Sequence, residues 1–332
     1  MTYFQRRLLF LAKLNLLSSH SPFLRLLLII VFFSTASLIP FIGLLFLMTL
    51  PLVLFVLCIF NDQTKTLVAF LTALFAIMIF LSFFMHAVIP VFALAAMGLA
   101  GIMIAQTTRK NYPIDLIILL PSFAVLGAVV FYFVYGGAQL SMSPLQLLEK
   151  HITEAVELNI QFYSRLPLSP EEISAIKESK PTVIQLFTRI FPALCIISVL
   201  FTIWSNVLMG NKLLRRRGMD LPNLSTLSEW KAPDWLVWIF IAGGGLSFVP
   251  QTHISYTGIN LFMVASFIYL LQGLAIVSFF FNHRNLSIFF RWFFYFLIAI
   301  QQMLMIAIAA VGFFDIWIDF RKYFHKDQEK TD

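Results

Sequence analysis

Long apolar runs separated by short polar breaks dominate the chain, and they predict membrane-spanning helices. The run at 26–60 is too long for one untilted span, which needs about 20 apolar residues. Pro40 and Gly43 interrupt this run, so it predicts two helices joined by a tight turn. Pro51 falls inside the second helix and predicts a kink whose freed carbonyl is met by a neighbouring helix.

The next runs follow the same pattern. The run at 67–105 again exceeds one span, and His86 and Pro90 mark its break. His86 has the side chain that titrates near neutral pH, although a single histidine at a helix end is also typical of a capped turn. The apolar residues 114–135 predict a fifth span.

One long polar stretch, from Gly136 to Pro181, interrupts the apolar pattern. Ser143 precedes Pro144 and predicts a helix start, from which an amphipathic helix extends to about Tyr163. A second start at 169–172 has the spacing of a capping box. The stretch is net acidic, which favours the extracytoplasmic side of a membrane, with one or two amphipathic helices lying on the surface or on the bundle.

The remaining apolar runs predict four more spans. Residues 182–209 form the sixth, and the short Gly-rich segment 235–249 forms the seventh. Two longer runs, joined by the polar turn 282–287, predict an antiparallel hairpin. The sequence therefore predicts an all-α polytopic membrane bundle with about nine transmembrane helices, within a range of about eight to ten.

These patterns also predict the order of segments along the chain. That order is a basic amphipathic cytoplasmic segment at 1–25, spans one to five at 26–135, an extracytoplasmic loop at 136–181, spans six to nine at 182–320 and a polar tail at 321–332. A cleaved signal peptide is the alternative interpretation of the N-terminus.

Composition strengthens the membrane assignment. Of 332 residues, 60% are hydrophobic and only 12% are charged, whereas soluble domains carry about 25% charged residues. A water-soluble fold of this size does not hide so much apolar surface, so the lipid bilayer is the expected solvent. The net charge of +7 does not indicate nucleic-acid binding, because no basic stripe is interleaved with exposed aromatics.

Basic residues instead indicate the cytoplasmic side of the membrane. The strongest marker is a group after the sixth span, formed by Lys212, Arg215, Arg216 and Arg217. Nine spans counted from a cytoplasmic N-terminus place this group inside. They also place the lysine- and arginine-containing tail outside, which conflicts with the same rule, so one apolar run is alternatively a re-entrant hairpin.

Candidate chemistry lies in the closing hairpin. Folding it about its turn sets Gln272 within about one helical turn of Gln301 and Gln302. An amide at mid-membrane depth is costly without a partner, so these amides are expected to bond across the helices. Two interpretations remain open, which are interhelical stabilisation and the polar lining of a substrate cavity.

The same folding brings Asn260 towards Asp315 at the far end of the hairpin. Asp315 and Asp319 are four residues apart and share a helix face. Such carboxylates bind cations or basic substrate groups, or carry protons. The alternative is that they form ion pairs with Arg321, Arg189 or the tail lysines.

No known catalytic or metal-binding motif is recognisable. HExxH, GxSxG and Walker sequences are missing, and Cys58 and Cys195 both lie in apolar runs without metal-ligand spacing. No cofactor, no metal and no enzymatic activity are therefore expected.

Four segments resemble the YybS-like family of predicted bacterial membrane proteins, whose function is not known. They are WKAPDW at 230–235, GIN at 258–260, YLLQGLAIV at 269–277 and GFFDIWIDFR at 312–321. The opening spans are more loosely similar to the substrate-binding subunits of energy-coupling-factor transporters, which usually have six helices. The resemblance implies a multi-pass protein of the bacterial inner membrane.

The sequence predicts a protein that binds or transports a small solute within its bundle. Because it has no nucleotide-binding motif, a separate energising subunit is the expected partner for any ATP use. The alternative is a membrane scaffold that recruits a partner through its basic cytoplasmic residues. An intramembrane enzyme acting on lipids is a third possibility, without a residue cluster to support it.

Overall fold

The computed structural model describes residues 22–39, 42–84, 89–167, 169–219, 221, 224, 230–284 and 286–322. All the secondary structure in these residues is helical. The helices are α1 Pro22–Ala36, α2 Gly43–Phe60, α3 Gln63–Phe84, α4 Ile89–Arg109, α5 Ile114–Gln139, α6 Pro144–Tyr163, α7 Pro170–Arg216, α8 Leu236–Ser247, α9 Thr252–His283, α10 Ile288–Ile300 and α11 Gln302–Ile318. His86, most of the N-terminal segment 1–25 and most of the tail lie outside the described residues.

The membrane helices are fewer than the sequence predicts. Among the described residues, six helices (α2, α3, α4, α5, α7 and α9) are long and apolar enough to cross a membrane, and α10 with α11 makes a seventh if the bent pair counts as one span. Helices α1 and α8 are too short, because an untilted span needs about 20 residues. The count of about nine is therefore not confirmed.

The chain divides into two compact units. The first contains residues 1–128 and 199–224, and the second contains 129–198 and 225–332. In the first unit α2 packs closely on α4, where a side chain at Gly101 would overlap the backbone of Pro51. Arg109, at the end of α4, donates to the carbonyls of Cys58 and Asn61 and so caps the C-terminus of α2.

Pro51 lies inside α2 as predicted, and a buried asparagine completes the hydrogen bonding beside it. The Leu52 N–H donates to Asn206 Oδ1 at 2.9 Å, and Asn206 Nδ2 donates to the Met48 carbonyl at 2.8 Å. In a regular helix that N–H and that carbonyl bond to each other. We call this arrangement an Asn–Pro clasp. Pro51 has no N–H, so the Leu47 carbonyl loses its usual donor. The clasp satisfies the next carbonyl along the chain, that of Met48.

In the second unit, α6 begins at the capping box that Ser143 forms with Gln146. Its first turn packs on α5, where Leu147 approaches Gly136. The hydroxyl of Tyr132 lies 2.9 Å from His151 Nε2, which adds a polar contact between the same two helices. The amphipathic pattern therefore produces a helix packed on a neighbouring membrane helix.

Helix α7 starts at the second predicted capping box. Ser169 Oγ accepts from the Glu172 N–H at 3.2 Å, and Glu172 Oε2 accepts from the Ser169 N–H at 2.8 Å. The helix then continues without interruption to Arg216 although Pro181 and Pro192 lie within it. The polar loop predicted to end at Pro181 is therefore helical in its last part and continuous with the sixth span.

The closing hairpin differs most from its prediction. Helix α9 is a single long helix of 32 residues, but the run after it is bent by 104° at Gln301. Helix α11 packs on α9 so closely that a side chain at Gly273 would overlap the Ile308 carbonyl, and one at Gly312 would overlap the Tyr269 carbonyl. Helix α8 packs on an earlier part of α9, where Gly243 meets Phe262.

Candidate functional site

A buried polar network joins α9, the end of α11 and the segment that leads into α8. Gln272 Nε2 donates to Asp315 Oδ2 at 3.0 Å, and Gln272 Oε1 accepts from the Ala232 N–H at 3.1 Å. Asp315 Oδ1 accepts from the Phe320 N–H at 2.9 Å. Gln272 and Asp315 are each only 1% exposed. The amide and carboxylate oxygens thus receive donors inside the protein, as buried polar groups require.

Arg321 completes this network. Its Nη1 lies 3.6 Å from Asp315 Oδ2, and its Nη2 donates to the Trp230 carbonyl at 2.9 Å. Arg321 is also buried. Gln272 and Arg321 therefore hold the peptide segment Trp230–Ala232 between them, and the buried carboxylate has a cationic partner.

Asp319 forms a more exposed set of ion pairs beside the network. Its carboxylate lies 2.9 Å from Lys231 Nζ and 3.2 Å from Lys322 Nζ. Hydrogen bonding from Lys231, with a smaller contribution from Lys322, lowers the pKa of this carboxyl below its usual value of 3.8. The two aspartates therefore form ion pairs, and of their partners the sequence predicts Arg321 and the tail residue Lys322 but not Lys231.

Gln301 and Gln302 do not reach Gln272. Gln301 is the residue between α10 and α11, and both glutamines are exposed on the protein surface. The predicted contact assumed one straight second helix. Because α10 turns away by 104°, α11 meets α9 at a different register, and Asp315 takes the position opposite Gln272.

Asn260 likewise has different neighbours from those predicted. Its Oδ1 accepts from the Ala193 N–H at 2.8 Å, and its Nδ2 donates to the Arg189 carbonyl at 2.9 Å. These two groups flank Pro192 within α7, so Asn260 forms a second Asn–Pro clasp, in the second unit. Asn260 therefore joins α9 to α7, whereas Asp315 belongs to the buried network.

A cleft lined by both polar and apolar side chains lies beside this second clasp. It has a volume of about 1210 Å³ and is lined by residues of α6, α7 and α9. Its wall includes Arg189, Tyr256 and Asn260, together with threonines from all three helices. Of the six candidate substrate-binding residues, Asn260 lines this cleft, Gln272, Asp315 and Asp319 belong to the network or its edge, and Gln301 and Gln302 lie at the bend.

Arg189 has the most distinctive environment in the cleft. Its guanidinium carbon lies 4.3 Å from the centre of the Tyr256 ring, in a cation–π contact. The sequence predicts Arg189 as one ion-pair partner for the aspartates and gives no reason to select Tyr256. A useful signal was the spacing of Tyr256 and Asn260, which puts both side chains on one face of α9.

The predicted basic cytoplasmic loop is largely helical. Lys212, Arg215 and Arg216 lie in the last turns of α7, and Arg217 follows directly, with its guanidinium carbon 4.8 Å from the centre of the Phe60 ring. All four are exposed. Cations at a helix C-terminus interact favourably with the helix dipole.

The described residues contain no group of three or more His, Cys, Asp or Glu side chains placed to hold a metal ion. Cys58 is buried, Cys195 is half-buried, and both are free thiols. Their environments agree with their position in apolar runs.

Several apolar helices of spanning length, packed through glycines and internal amides, define a multi-pass α-helical membrane protein. A family model described as predicted membrane protein (DUF2232) matches residues 27–316. The chain belongs to this DUF2232 family of predicted membrane proteins. No curated protein and no solved structure matches the chain.

Proposed function

We propose that this membrane protein binds a small solute in the cleft formed by α6, α7 and α9. The observation that carries the proposal is the cleft itself. Its volume of about 1210 Å³ is somewhat above the roughly 300–1,000 Å³ of typical small-molecule sites, and its wall combines hydroxyls, an amide, a guanidinium and an aromatic ring. Apolar surface with a few convergent polar groups is typical of sites that orient a solute.

The buried network has a different role in this proposal. Its carboxylate, amide and guanidinium already bond to one another and to the backbone of Trp230–Ala232, so they hold α8, α9 and α11 together. The bilayer surrounds the helices, and the bacterial inner membrane is the proposed location. Because the sequence has no Walker motif, we propose that any ATP use in transport comes from a separate subunit.

Solute binding is tested with a filled cleft. Thr257 lines the cleft, and its side chain bonds only within its own helix, to the His253 carbonyl. Thr257→Trp therefore fills the space without removing a contact between helices. Leu261→Trp, an exposed position on α9 outside the cleft lining, is the matched control.

The measurement is thermal unfolding of the purified protein against a panel of anionic, cationic, zwitterionic and neutral solutes. A solute that binds the native state raises the unfolding temperature of wild type and of Leu261→Trp, but not of Thr257→Trp. Equal protection of both variants would show binding elsewhere. A panel without any binder would also count against the proposal.

A second candidate function is a scaffold, favoured by the exposed cations Lys212, Arg215, Arg216 and Arg217 at the end of α7. Partner capture from native membranes separates the two functions. Under the scaffold function, replacing these four residues by glutamine abolishes capture and Thr257→Trp leaves it intact.

A further inference from the structure

Arg189 has a guanidinium without a counterion in the described part of the chain. It takes part there in the cation–π contact with Tyr256, and no carboxylate pairs with it and no acceptor takes a hydrogen bond from its guanidinium. A guanidinium carries five N–H donors in a fixed planar arrangement that matches carboxylate and phosphate oxygens. Its donors are therefore available to a molecule in the cleft that it lines.

Helix α9 fixes both the side chain and the backbone of Arg189. The Tyr256 ring lies against the guanidinium, and Asn260, one turn further along α9, accepts and donates the bonds that hold the Arg189 carbonyl and the Ala193 N–H. Fixing a flexible side chain before binding lowers the entropy lost when a ligand arrives. Arg189 is thus positioned in advance for a ligand group.

Among the described arginines and lysines that line the cleft, Arg189 is the one without an ion pair. Lys180 also lines the cleft, but its ammonium is paired with Glu157 at 2.6 Å. Glu149 contributes one carboxylate, which is exposed to solvent. An ammonium that is already paired attracts a further anion less than a guanidinium without an ion pair does.

We infer that the cleft selects a small solute carrying a carboxylate or phosphate group, and that Arg189, held by Tyr256 and Asn260, binds this group. The inference rests on the proposed function, since it names the chemical class of the solute. Tyr256 and Asn260 are positioning residues, because they act through the side chain and the backbone of Arg189.

The test measures equilibrium binding to the full-length protein purified in a maltoside detergent, which carries no phosphate. The probes are succinate, inorganic phosphate, tetramethylammonium, glycerol and a short-chain phosphatidylglycerol. The variants are Arg189→Gln, Arg189→Lys, Tyr256→Leu and Glu149→Gln, each checked for an unchanged unfolding temperature before binding is compared.

Succinate or phosphate is expected to bind the wild type more tightly than tetramethylammonium or glycerol. Arg189→Gln should weaken anion binding by at least about tenfold, as expected for loss of a charge-assisted bidentate contact. Arg189→Lys should recover part of the loss. Tyr256→Leu removes the ring that lies against the guanidinium and should weaken anion binding, by less than Arg189→Gln does. Glu149→Gln should bind anions equally or more tightly.

Other outcomes overturn the inference. Anion binding that is unchanged in Arg189→Gln would do so, as would tighter binding of tetramethylammonium than of the anions. A loss of binding in Glu149→Gln as large as in Arg189→Gln would indicate a zwitterionic solute instead. Binding of the phospholipid but of neither free anion would also contradict the inference. Thr257→Trp distinguishes failure of this inference from failure of the proposed function. If Thr257→Trp abolishes binding of a solute but Arg189→Gln does not weaken it, the cleft binds a solute of another class. If the solute still binds to Thr257→Trp, both proposals are wrong.

Discussion

Gln272 donates a hydrogen bond to Asp315 at 3.0 Å, although the two residues are 43 positions apart and lie on different helices. The same carboxylate lies 3.6 Å from a guanidinium nitrogen of Arg321, and all three side chains are buried. A buried ion pair contributes little compared with apolar residues of the same shape, but the loss of one partner is costly because the other charge stays buried.

We therefore expect Asp315→Leu to lower the free energy of unfolding by about 3–5 kcal/mol. The double variant Asp315→Leu with Arg321→Met should cost less than the sum of its single variants, by about 1–3 kcal/mol, because it leaves neither charge behind. Unfolding in sodium dodecyl sulfate, followed by circular dichroism, measures these differences. Additive effects would contradict the pairing of the two residues.

The Asn–Pro clasps predict a coupling between an asparagine and a proline on another helix. Asn206→Leu should destabilise the protein by about 1–2 kcal/mol, since the Leu52 N–H and the Met48 carbonyl lose their partner. In a Pro51→Ala background the cost should be smaller, because a straightened helix lets these two groups bond to each other.

The same detergent unfolding assay compares the four members of this cycle. Asn260→Leu with Pro192→Ala provides an independent repeat, since Asn260 bonds to the Ala193 N–H and the Arg189 carbonyl in the same way. If Asn206→Leu lowers the free energy of unfolding equally with and without Pro51, the asparagine stabilises the helices independently of the proline.

Close backbone contact between α9 and α11 predicts that Gly312 does not tolerate alanine. An added Cβ would overlap the Tyr269 carbonyl and approach the Gly273 nitrogen to 2.7 Å. We expect Gly312→Ala to destabilise the protein by about 1–3 kcal/mol through overpacking. Gly245→Ala is the matched control in α8, because nothing lies within 4 Å of its added Cβ, and it should be neutral or stabilising.

Asp319 predicts a loss of stability in acid. Hydrogen bonding from Lys231 lowers the pKa of the carboxyl in the folded state below 3.8, so the unfolded state takes up a proton first as the pH falls. The contribution of Asp319 to the free energy of unfolding is fully present above the unfolded-state pKa and is lost as the pH falls through the folded-state pKa. Wild type should exceed Asp319→Asn in unfolding midpoint by a constant amount from about pH 5 to 7, and this difference should shrink below about pH 4.

The Lys231→Met variant is the control for the acid effect. Because Lys231 makes the largest contribution to the lowered pKa, adding Asp319→Asn to this variant should change its acid stability less than adding it to wild type. A difference between wild type and Asp319→Asn that persists unchanged at low pH would contradict the assignment.

Several helix starts and breaks could be predicted from the sequence. Proline, glycine and serine act within a turn of their own position, so Ser143 and Ser169 identify the starts of α6 and α7, and the break near Pro40 separates α1 from α2. The number of spans could not be read in the same way. Apolar length alone does not show that α8 ends after 12 residues or that the last run bends at Gln301.

The partners of the polar side chains were harder to predict than their burial. Gln272 and Asp315 were identified because amides and acids are rare in apolar runs, and both are buried. Their pairing depends on the register of α11 against α9, which the bend shifts. Arg189 and Tyr256 meet across two helices far apart in the chain, and such contacts have no periodic signal in one sequence.

The clasp at Asn206 also sets an order of events during synthesis. Asn206 follows Leu52 by 154 residues, so α2 leaves the ribosome long before the amide that completes its broken turn has been made. Until α7 has been made, we expect the Leu52 N–H and the Met48 carbonyl of the nascent α2 to lack these partners, which is costly in lipid. We therefore expect the first unit to be completed only when α7 has been inserted.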